Sequence, residues 1–230
     1  MQKLCYGGGM PQNLSRSLLA KVQLPTLLFM FTLQALVHAR DCDVIHAHWS
    51  PAGLAGLMAA RVLGKPVVLT MHHGTNRRLS GIEKIILERV DQVLCNSTFT
   101  RSHVMSTAQP KAVRVISPGV DMDLFQPLEE PRNLSLPLYI PVERPIVYTL
   151  GRLIELKGHE YLIHAFRLLP DDLQPHLLIG GDGARQAQLK GQVRQLGLSD
   201  RVTFLGQVPN HLTPLYYSLA DVYVQPSIVD

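Results

Sequence analysis

The eight residues 151–158, GRLIELKG, decide how the second half of this 230-residue sequence is interpreted. They lie between a run of strand-forming residues, 145–150, and a helical pattern over residues 160–169. In open parallel sheets, ligands bind beyond the carboxyl ends of the strands, where such a turn lies. Glycine at both ends lets the backbone turn tightly and approach a ligand closely. Arg152 offers a planar fork of N–H donors and Lys157 a mobile point charge, and this pair suits a diphosphate.

The alternative interpretation is two surface cations in a loop, which is the usual one for an isolated R-x-x-x-x-K. The flanking glycines and the strand-to-helix position favour phosphate binding instead. A second glycine-rich turn, Gly181, Asp182 and Gly183, follows the predicted strand 176–179. Read alone it is a tight turn, but the amide-rich N-terminus of the next helix points at the same crevice. It is not the dinucleotide fingerprint G-x-G-x-x-G, because Gln186 replaces the third glycine.

Outward from these turns, short β-branched runs alternate with helical patterns, which is typical of βαβ units and a parallel sheet. From Pro118 to Pro145 the alternation stops, and six of the 16 prolines lie there. Proline at this density does not form a central strand or a helix interior. We therefore predict an α/β protein with a Rossmann-like domain over residues 1–120, a proline-rich linker over 121–144 and a second Rossmann-like domain over 145–230. The predicted strands are 44–48, 67–71, 92–95, 112–116, 145–150, 176–179, 202–205 and 222–224.

Apolar spacing also predicts which helix faces are buried. The apolar run 24–37 is shorter than the roughly 20 residues of a membrane span, and no basic segment and cleavage site mark it as a signal peptide. We interpret it as a core helix in preference to a membrane-leaning one. The residues that we expect to face the core are Ile82, Ile85 and Ile86 in the helix 81–89, and Tyr161, Ala165 and Leu169 in the helix 160–169.

The composition, 46% hydrophobic and 17% charged with a net charge of +4, is that of an ordinary globular protein and excludes disordered and collagen-like classes. No basic stripe is interleaved with aromatic residues, so nucleic acid is not an expected partner. The three cysteines are an odd number without a C-x-x-C pair. This argues against a disulfide framework or a zinc knuckle and favours a reducing cytoplasm.

Histidines crowd the strand ends of the first half, at His46, His48, His72 and His73. His46 and His48 share one strand face because side chains alternate with a period of two. No Asp, Glu or Cys is spaced to complete a metal site, so no metal is predicted. The alternative to a substrate contact is a structural role, which we expect for at least two of the four histidines. His72 lies where a strand runs out into the cleft. It is the best candidate for contacting a substrate.

Together these segments resemble glycosyltransferase family 4, the retaining enzymes of GT-B fold. The order and spacing agree from about residue 43 onward, and the glycine-bounded loop is the most specific match. The matching segments are DVIHAH at 43–48, TMH at 70–72, VISPGVD at 115–121, the loop 151–158, GDG at 181–183, VTFLG at 202–206, and Pro226-Ser227.

The resemblance implies two Rossmann-like domains, each a parallel sheet flanked by helices. It also implies sugar transfer from a nucleoside-diphosphate donor to a saccharide or lipid acceptor, with retained configuration and without a metal or other cofactor. A cytoplasmic location, with peripheral contact at the inner membrane surface, fits the same resemblance. Arg152 and Lys157 would neutralise the leaving diphosphate. The other implied site residues are His72 as the catalytic contact with the transferred sugar, Gly151, Gly181, Asp182 and Gly183 around the donor, and Gly206 and Val208 near the nucleobase.

The sequence departs from the family pattern in two places, and both affect whether we expect the chain to be active. The family's paired glutamates, E-x-x-x-x-x-x-x-E, would follow Ser227 but are not in this sequence, and the family's opening strand and glycine-rich loop would precede residue 1. We therefore expect a chain truncated at both ends, with both domains incomplete and no activity alone. Two alternatives stay open: a nucleotide-binding GT-B-like module without chemistry, and an unrelated Rossmann enzyme such as a sugar epimerase or dehydrogenase.

Overall fold

A computed structural model gives the fold of the chain, and it describes residues 18–72, 79–129, 131–133 and 140–228. The chain divides into two compact units between Pro118 and Gly119. The three-part division with a linker at 121–144 stays a prediction. Within that segment, Ile140 is buried and Val142 packs with it into a core of the second unit.

The first unit is a four-stranded parallel sheet in the order β1-β2-β3-β4, with a helix after each of the first three strands. Its strand bounds agree with the sequence prediction to within one residue at each end. Its elements are α1 (Leu18–His38), β1 (Ile45–His48), α2 (Ser50–Leu63), β2 (Val67–Met71), α3 (Gly81–Arg89), β3 (Gln92–Cys95), α4 (Thr98–Thr107) and β4 (Val113–Val115).

In helix α3, a local capping signal determines where the helix begins, and packing against the sheet determines which residues are buried. Ser80 begins it with a capping box: the Ser80 hydroxyl accepts from the Glu83 N–H at 3.2 Å, and the Glu83 carboxylate accepts from the Ser80 N–H at 2.7 Å. Ile86 is buried against the sheet, as predicted. The prediction for Ile82 and Ile85 is wrong, because they are 62% and 44% exposed. The buried residues of the helix are Ile86 and Leu87, so burial here depends on the position along the helix as well as on its face.

The interpretation of residues 24–37 as a core helix is also wrong. The segment is helical, as part of α1, but only Leu27 and Thr32 are buried among the side chains that the structure describes on that helix. Helix α1 packs on α2 rather than between layers, so one side of it meets solvent. Its exposed large apolar side chains are Val22, Phe29, Met30, Phe31, Leu33 and Val37.

The second unit is also a four-stranded parallel sheet, but its strand order is β7-β6-β5-β8. Strand β5 therefore lies in the interior, with the next strand of the chain on one side and the last on the other. The elements are β5 (Ile146–Leu150), α5 (His159–Arg167), β6 (His176–Gly180), α6 (Gln186–Gln195), β7 (Val202–Gly206), α7 (Thr213–Leu219) and β8 (Val222–Tyr223).

Two apolar clusters cover the two faces of this sheet. Along the fully buried strand β6, Leu177 and Ile179 belong to one cluster and Leu178 to the other, as the alternation of a strand requires. Burial on both faces is characteristic of a parallel sheet between helices. Of the three residues predicted to face the core in the helix 160–169, Leu169 packs against the apolar cluster. The prediction is wrong for the other two, because Tyr161 is 58% exposed and Ala165 is exposed. The buried face of α5 consists of His159, Leu162, Ile163 and Phe166.

Ile82 and Ile86, one turn apart on α3 but unequally buried, give a matched test of this packing. We expect Ile86→Ala to lower the free energy of unfolding of the first unit by about 2–5 kcal/mol, because it leaves a cavity beneath the helix. Ile82→Ala, one turn away and exposed, should change it by less than about 0.5 kcal/mol. Trp49 is the only tryptophan in the sequence, so its fluorescence during urea unfolding reports on this unit. Equal losses in the two variants would contradict the orientation of the helix.

Candidate functional site

The loop that follows β5 lies at the point where the strand order of the second sheet reverses. Strand β5 pairs with β6 on one side and with β8 on the other, both in parallel. At such a switch point the connections leave the sheet in opposite directions and open a crevice beyond the carboxyl ends of the strands. Residues 151–158 occupy this edge. The structure therefore places the predicted phosphate-binding loop where an open sheet binds ligands.

The loop and the second glycine-rich turn are joined through their backbones. The Gly151 N–H donates to the Gly180 carbonyl at 3.0 Å, and the Leu153 N–H donates to the Asp182 carbonyl at 2.9 Å. The Arg185 N–H in turn donates to the Leu153 carbonyl at 2.9 Å. These bonds extend the pairing of β5 with β6 past the ends of both strands. The two turns that were predicted separately therefore form one surface.

This close approach requires glycine at particular positions. Gly181 has a φ of 122°, and a Cβ there would overlap the Gly151 carbonyl. Gly158 has a φ of 63°, in the left-handed region, and a Cβ there would overlap the Pro226 carbonyl. The segment that follows β8 thus rests directly on the loop that follows β5. A side chain at either glycine would force the two segments apart.

The two predicted cations differ in their surroundings. Arg152 is exposed, and among the residues that the structure describes its guanidinium has no hydrogen-bond or ion-pair partner. Lys157 is half-buried, and its ammonium donates to the Ser227 hydroxyl at 3.2 Å. No carboxylate forms a salt bridge with either cation within the described part of the chain. Both positive charges can therefore be offered to an anion.

Beneath the loop lies His159, which the sequence did not single out. It is buried, and its ring is positioned so that a methyl group at Gly151 would touch it. Burial lowers the pKa of His159, and the nearby positive charge of Lys157 lowers it further. Both effects favour the neutral form of the ring. A single histidine at the start of a helical pattern carries no signal from which this role could be found.

The remaining predicted donor-site residues lie at the same edge. The Gly206 carbonyl accepts from the Gly181 N–H at 2.7 Å, which ties the end of β7 to the glycine turn. The Asp182 carboxylate accepts from the Gly183 N–H at 2.7 Å and so stays in its own turn. Val208 is half-buried and packs into the apolar cluster on one face of the sheet. The assignment of Gly206 and Val208 to a nucleobase stays a prediction.

In the first unit, three of the predicted histidines, His46, His48 and His72, lie on or next to the neighbouring strands β1 and β2. Nδ1 of His48 and Nε2 of His72 are 2.7 Å apart, and Nε2 of His46 and the Thr70 hydroxyl are 2.8 Å apart. Trp49, which the sequence did not flag, has a φ of 73° and lies 5.3 Å from His72 between ring centroids. Among the described residues no group of three or more His, Cys, Asp or Glu could hold a metal ion. The predicted position of His73 lies outside the described residues.

Comparison with known proteins shows similarity along most of the chain. The model of Glycosyltransferase Family 4 matches residues 13–124, and the model of Glycosyl transferases group 1 matches residues 136–230. The GDP-mannose-dependent alpha-(1-6)-phosphatidylinositol monomannoside mannosyltransferase of Mycolicibacterium smegmatis is 30% identical over 219 residues. The D-inositol 3-phosphate glycosyltransferase of Arthrobacter sp. is 30% identical over 236 residues. The chain is covered to 89% and 91% in these matches, but it spans only 56% of each relative.

Solved structures share the fold. Sucrose-phosphate synthase from Thermosynechococcus elongatus matches with a TM-score of 0.74 and 27% identity, over 90% of this chain and 55% of that one. HepE from Anabaena, solved with UDP and glucose, matches with a TM-score of 0.71 and 22% identity, over 85% and 55%. The two parallel sheets flanked by helices are thus those of GT-B glycosyltransferases. Within that class, the chain belongs to glycosyltransferase family 4.

Two glycines with nearly the same φ provide a test of the contact between the loop and the segment after β8. Gly197, with a φ of 67°, has nothing within 4 Å of an added Cβ, whereas at Gly158 the Cβ meets Pro226. We expect Gly197→Ala to destabilise the second unit by about 1–2 kcal/mol through backbone strain alone. Gly158→Ala should cost roughly 1–3 kcal/mol more through overpacking. Thermal melts followed by the circular dichroism of the tyrosines measure both, and equal losses would refute the contact.

Proposed function

We propose that this protein transfers a sugar from a nucleoside-diphosphate donor to a saccharide or lipid acceptor with retained anomeric configuration. The observation that carries the proposal is the pair Arg152 and Lys157 on a glycine-bounded loop at the strand-order reversal. The names of its relatives support the substrate class, since one uses GDP-mannose and a structural neighbour was solved with UDP and glucose. The reaction is proposed to take place in the cytoplasm.

The charges of the loop match what the reaction needs. When the glycosidic bond to the donor breaks, negative charge develops on the departing diphosphate. Preorganised donors aimed at that charge stabilise the transition state in which it appears. Arg152 supplies a planar fork and Lys157 a point charge. Besides the acceptor, the scheme requires the sugar nucleotide alone, with no metal and no other cofactor. His72, at the carboxyl end of β2, is the proposed contact with the transferred sugar.

Nucleotide binding tests the proposal directly. We expect UDP or GDP to bind the chain, and Arg152→Ala and Lys157→Ala each to weaken binding about 10- to 100-fold, because each removes a hydrogen bond to a charged group. The measurement is isothermal titration calorimetry at fixed ionic strength. The matched control is Arg167→Ala, which removes an exposed cation from the end of α5 and leaves the loop intact. We expect wild-type affinity in that variant.

The binding results distinguish three ways in which the proposal could be wrong. If UDP and GDP bind with unchanged affinity after both loop substitutions, the phosphate site is assigned to the wrong residues. If all three variants weaken binding equally, the effect is one of net charge. If the chain binds neither nucleotide but binds NAD tightly, the protein is a different kind of Rossmann enzyme.

We also propose that the first unit makes peripheral contact with the inner membrane surface through α1. Its exposed apolar side chains are 43–65% accessible, and the helix carries no acidic residue that would be repelled by anionic lipid. Apolar side chains that face solvent along one helix are a usual feature of interfacial binding. Within the described residues no helix is both long and apolar enough to cross a bilayer.

Vesicle sedimentation tests this contact. We expect the chain to sediment with phosphatidylglycerol vesicles, and the double variant Phe29→Glu, Phe31→Glu to stay largely in the supernatant, since it places charge on the apolar surface. Ile82→Glu is the control, because Ile82 is an equally exposed apolar residue on α3. Equal sedimentation of the wild type and the double variant would contradict the proposal.

A further inference from the structure

A short chain of hydrogen bonds connects the segment after β8 to the loop after β5. The Lys157 ammonium donates to the Ser227 hydroxyl oxygen at 3.2 Å. The Gln225 amide nitrogen donates to the same oxygen at 2.9 Å. The Tyr223 hydroxyl donates to the Gln225 amide oxygen at 2.6 Å. Ser227 is therefore the point at which the polar residues of the two segments meet.

The backbone fixes the position of Ser227 independently of these side chains. The Ile228 N–H donates to the Leu156 carbonyl at 2.9 Å, which joins the two segments on one side of Ser227. On the other side, Pro226 lies in contact with Gly158, where only glycine leaves room. Ser227 is thus held between two backbone contacts with the loop. The backbone at Ser227 cannot move away from the loop without breaking them, so the hydroxyl stays within reach of Lys157.

The hydrogen-bonding capacity of a serine hydroxyl decides what Ser227 can still do. A hydroxyl has two lone pairs that accept and one hydrogen that it donates. Both lone pairs are occupied here, one by Lys157 and one by Gln225. The hydrogen has no acceptor among the residues that the structure describes, and Ser227 is only half-buried. The hydroxyl therefore presents a donor, next to an ammonium group, at the ligand-binding edge of the sheet.

Tyr223 determines the donor-to-acceptor direction of the hydrogen bonds that lead to Ser227. Because the Gln225 amide oxygen accepts from the Tyr223 hydroxyl, the Gln225 amide nitrogen is turned towards Ser227. Burial raises the pKa of Tyr223, so its hydroxyl stays protonated and continues to donate. Every bond in the chain then runs from donor to acceptor towards the Ser227 oxygen. That oxygen is left with no capacity to accept and one hydrogen to donate.

We propose that Ser227 is a third anion ligand of the diphosphate site: its hydroxyl donates to a phosphate oxygen while its lone pairs hold the Lys157 ammonium in place. This inference rests on the proposed function, since it adds a residue to the same site. A hydroxyl and an ammonium that bind neighbouring oxygens form charge-assisted hydrogen bonds to the ligand, which are stronger than neutral ones. Ser227 is both a ligand and the positioning residue for Lys157.

Calorimetry with three ligands tests the assignment on the whole chain. We expect Ser227→Ala to weaken the binding of UDP and of inorganic pyrophosphate about tenfold or more. We expect it to leave the binding of uridine, which has no phosphate, unchanged. Ser227→Thr keeps the hydroxyl and should stay within about threefold of the wild type. Ser199→Ala, in an exposed turn of the same unit, is the matched control and should bind all three ligands normally.

A double variant isolates the coupling between the two residues. If Ser227 acts partly through the ammonium, Ser227→Ala should have a smaller effect in the Lys157→Ala background than in the wild type. Unchanged pyrophosphate affinity in Ser227→Ala, with weakened affinity in Lys157→Ala, would overturn this inference and leave the proposed function intact. Wild-type chain that binds neither UDP nor pyrophosphate would overturn both. A loss in Ser227→Ala that Ser227→Thr does not restore would show a structural contact only.

Discussion

The position of β5 between β6 and β8 is the constraint on which the site depends. Backbone pairing in this sheet runs from Leu177 through Val147 to Val222, and all of the strands are parallel. Every carboxyl end therefore lies at one edge of the sheet. The loop after β5, the turn after β6 and the segment after β8 meet there without any need for a specific side-chain contact. Reversal of the strand order then opens the crevice beside the central strand.

Glycines allow these three segments to approach closely enough to form one surface that can contact an anion. Where Gly181 approaches Gly151, and Gly158 approaches Pro226, there is no room for a side chain. The backbones are consequently close enough to exchange hydrogen bonds beyond the strand ends, which fixes the loop in one conformation. Burial of the strand beneath supports the same conformation, because apolar clusters cover both faces of the sheet. A rigid loop holds its charges in place before a ligand arrives.

The sequence was a good guide to the strands and a poor one to what covers them. Short β-branched runs between glycine and proline are local signals, and the predicted strand bounds agree with the observed ones to within one residue. Burial of a helical residue depends on where the sheet lies and on how far along the helix the contact extends. Local spacing shows neither, so the sequence misassigned Ile82 on α3 and Tyr161 on α5. The loop was found because Arg152 and Lys157 are near each other in the chain. Ser227 lies 70 residues from Lys157, and no local pattern indicates that they touch.

Lys157 and Arg152 differ in how much side-chain freedom each would lose on binding an anion. A free lysine loses up to about 2 kcal/mol of rotamer freedom when it is immobilised. The bond to Ser227 already restricts Lys157 in the absence of ligand, so less is lost when an anion arrives. Arg152 has no such restraint within the described residues, but its planar fork loses less freedom for each hydrogen bond that it forms. In the proposed site, the flexible cation is therefore preorganised and the rigid one stays free to close on the diphosphate, so both would act at a small entropic cost.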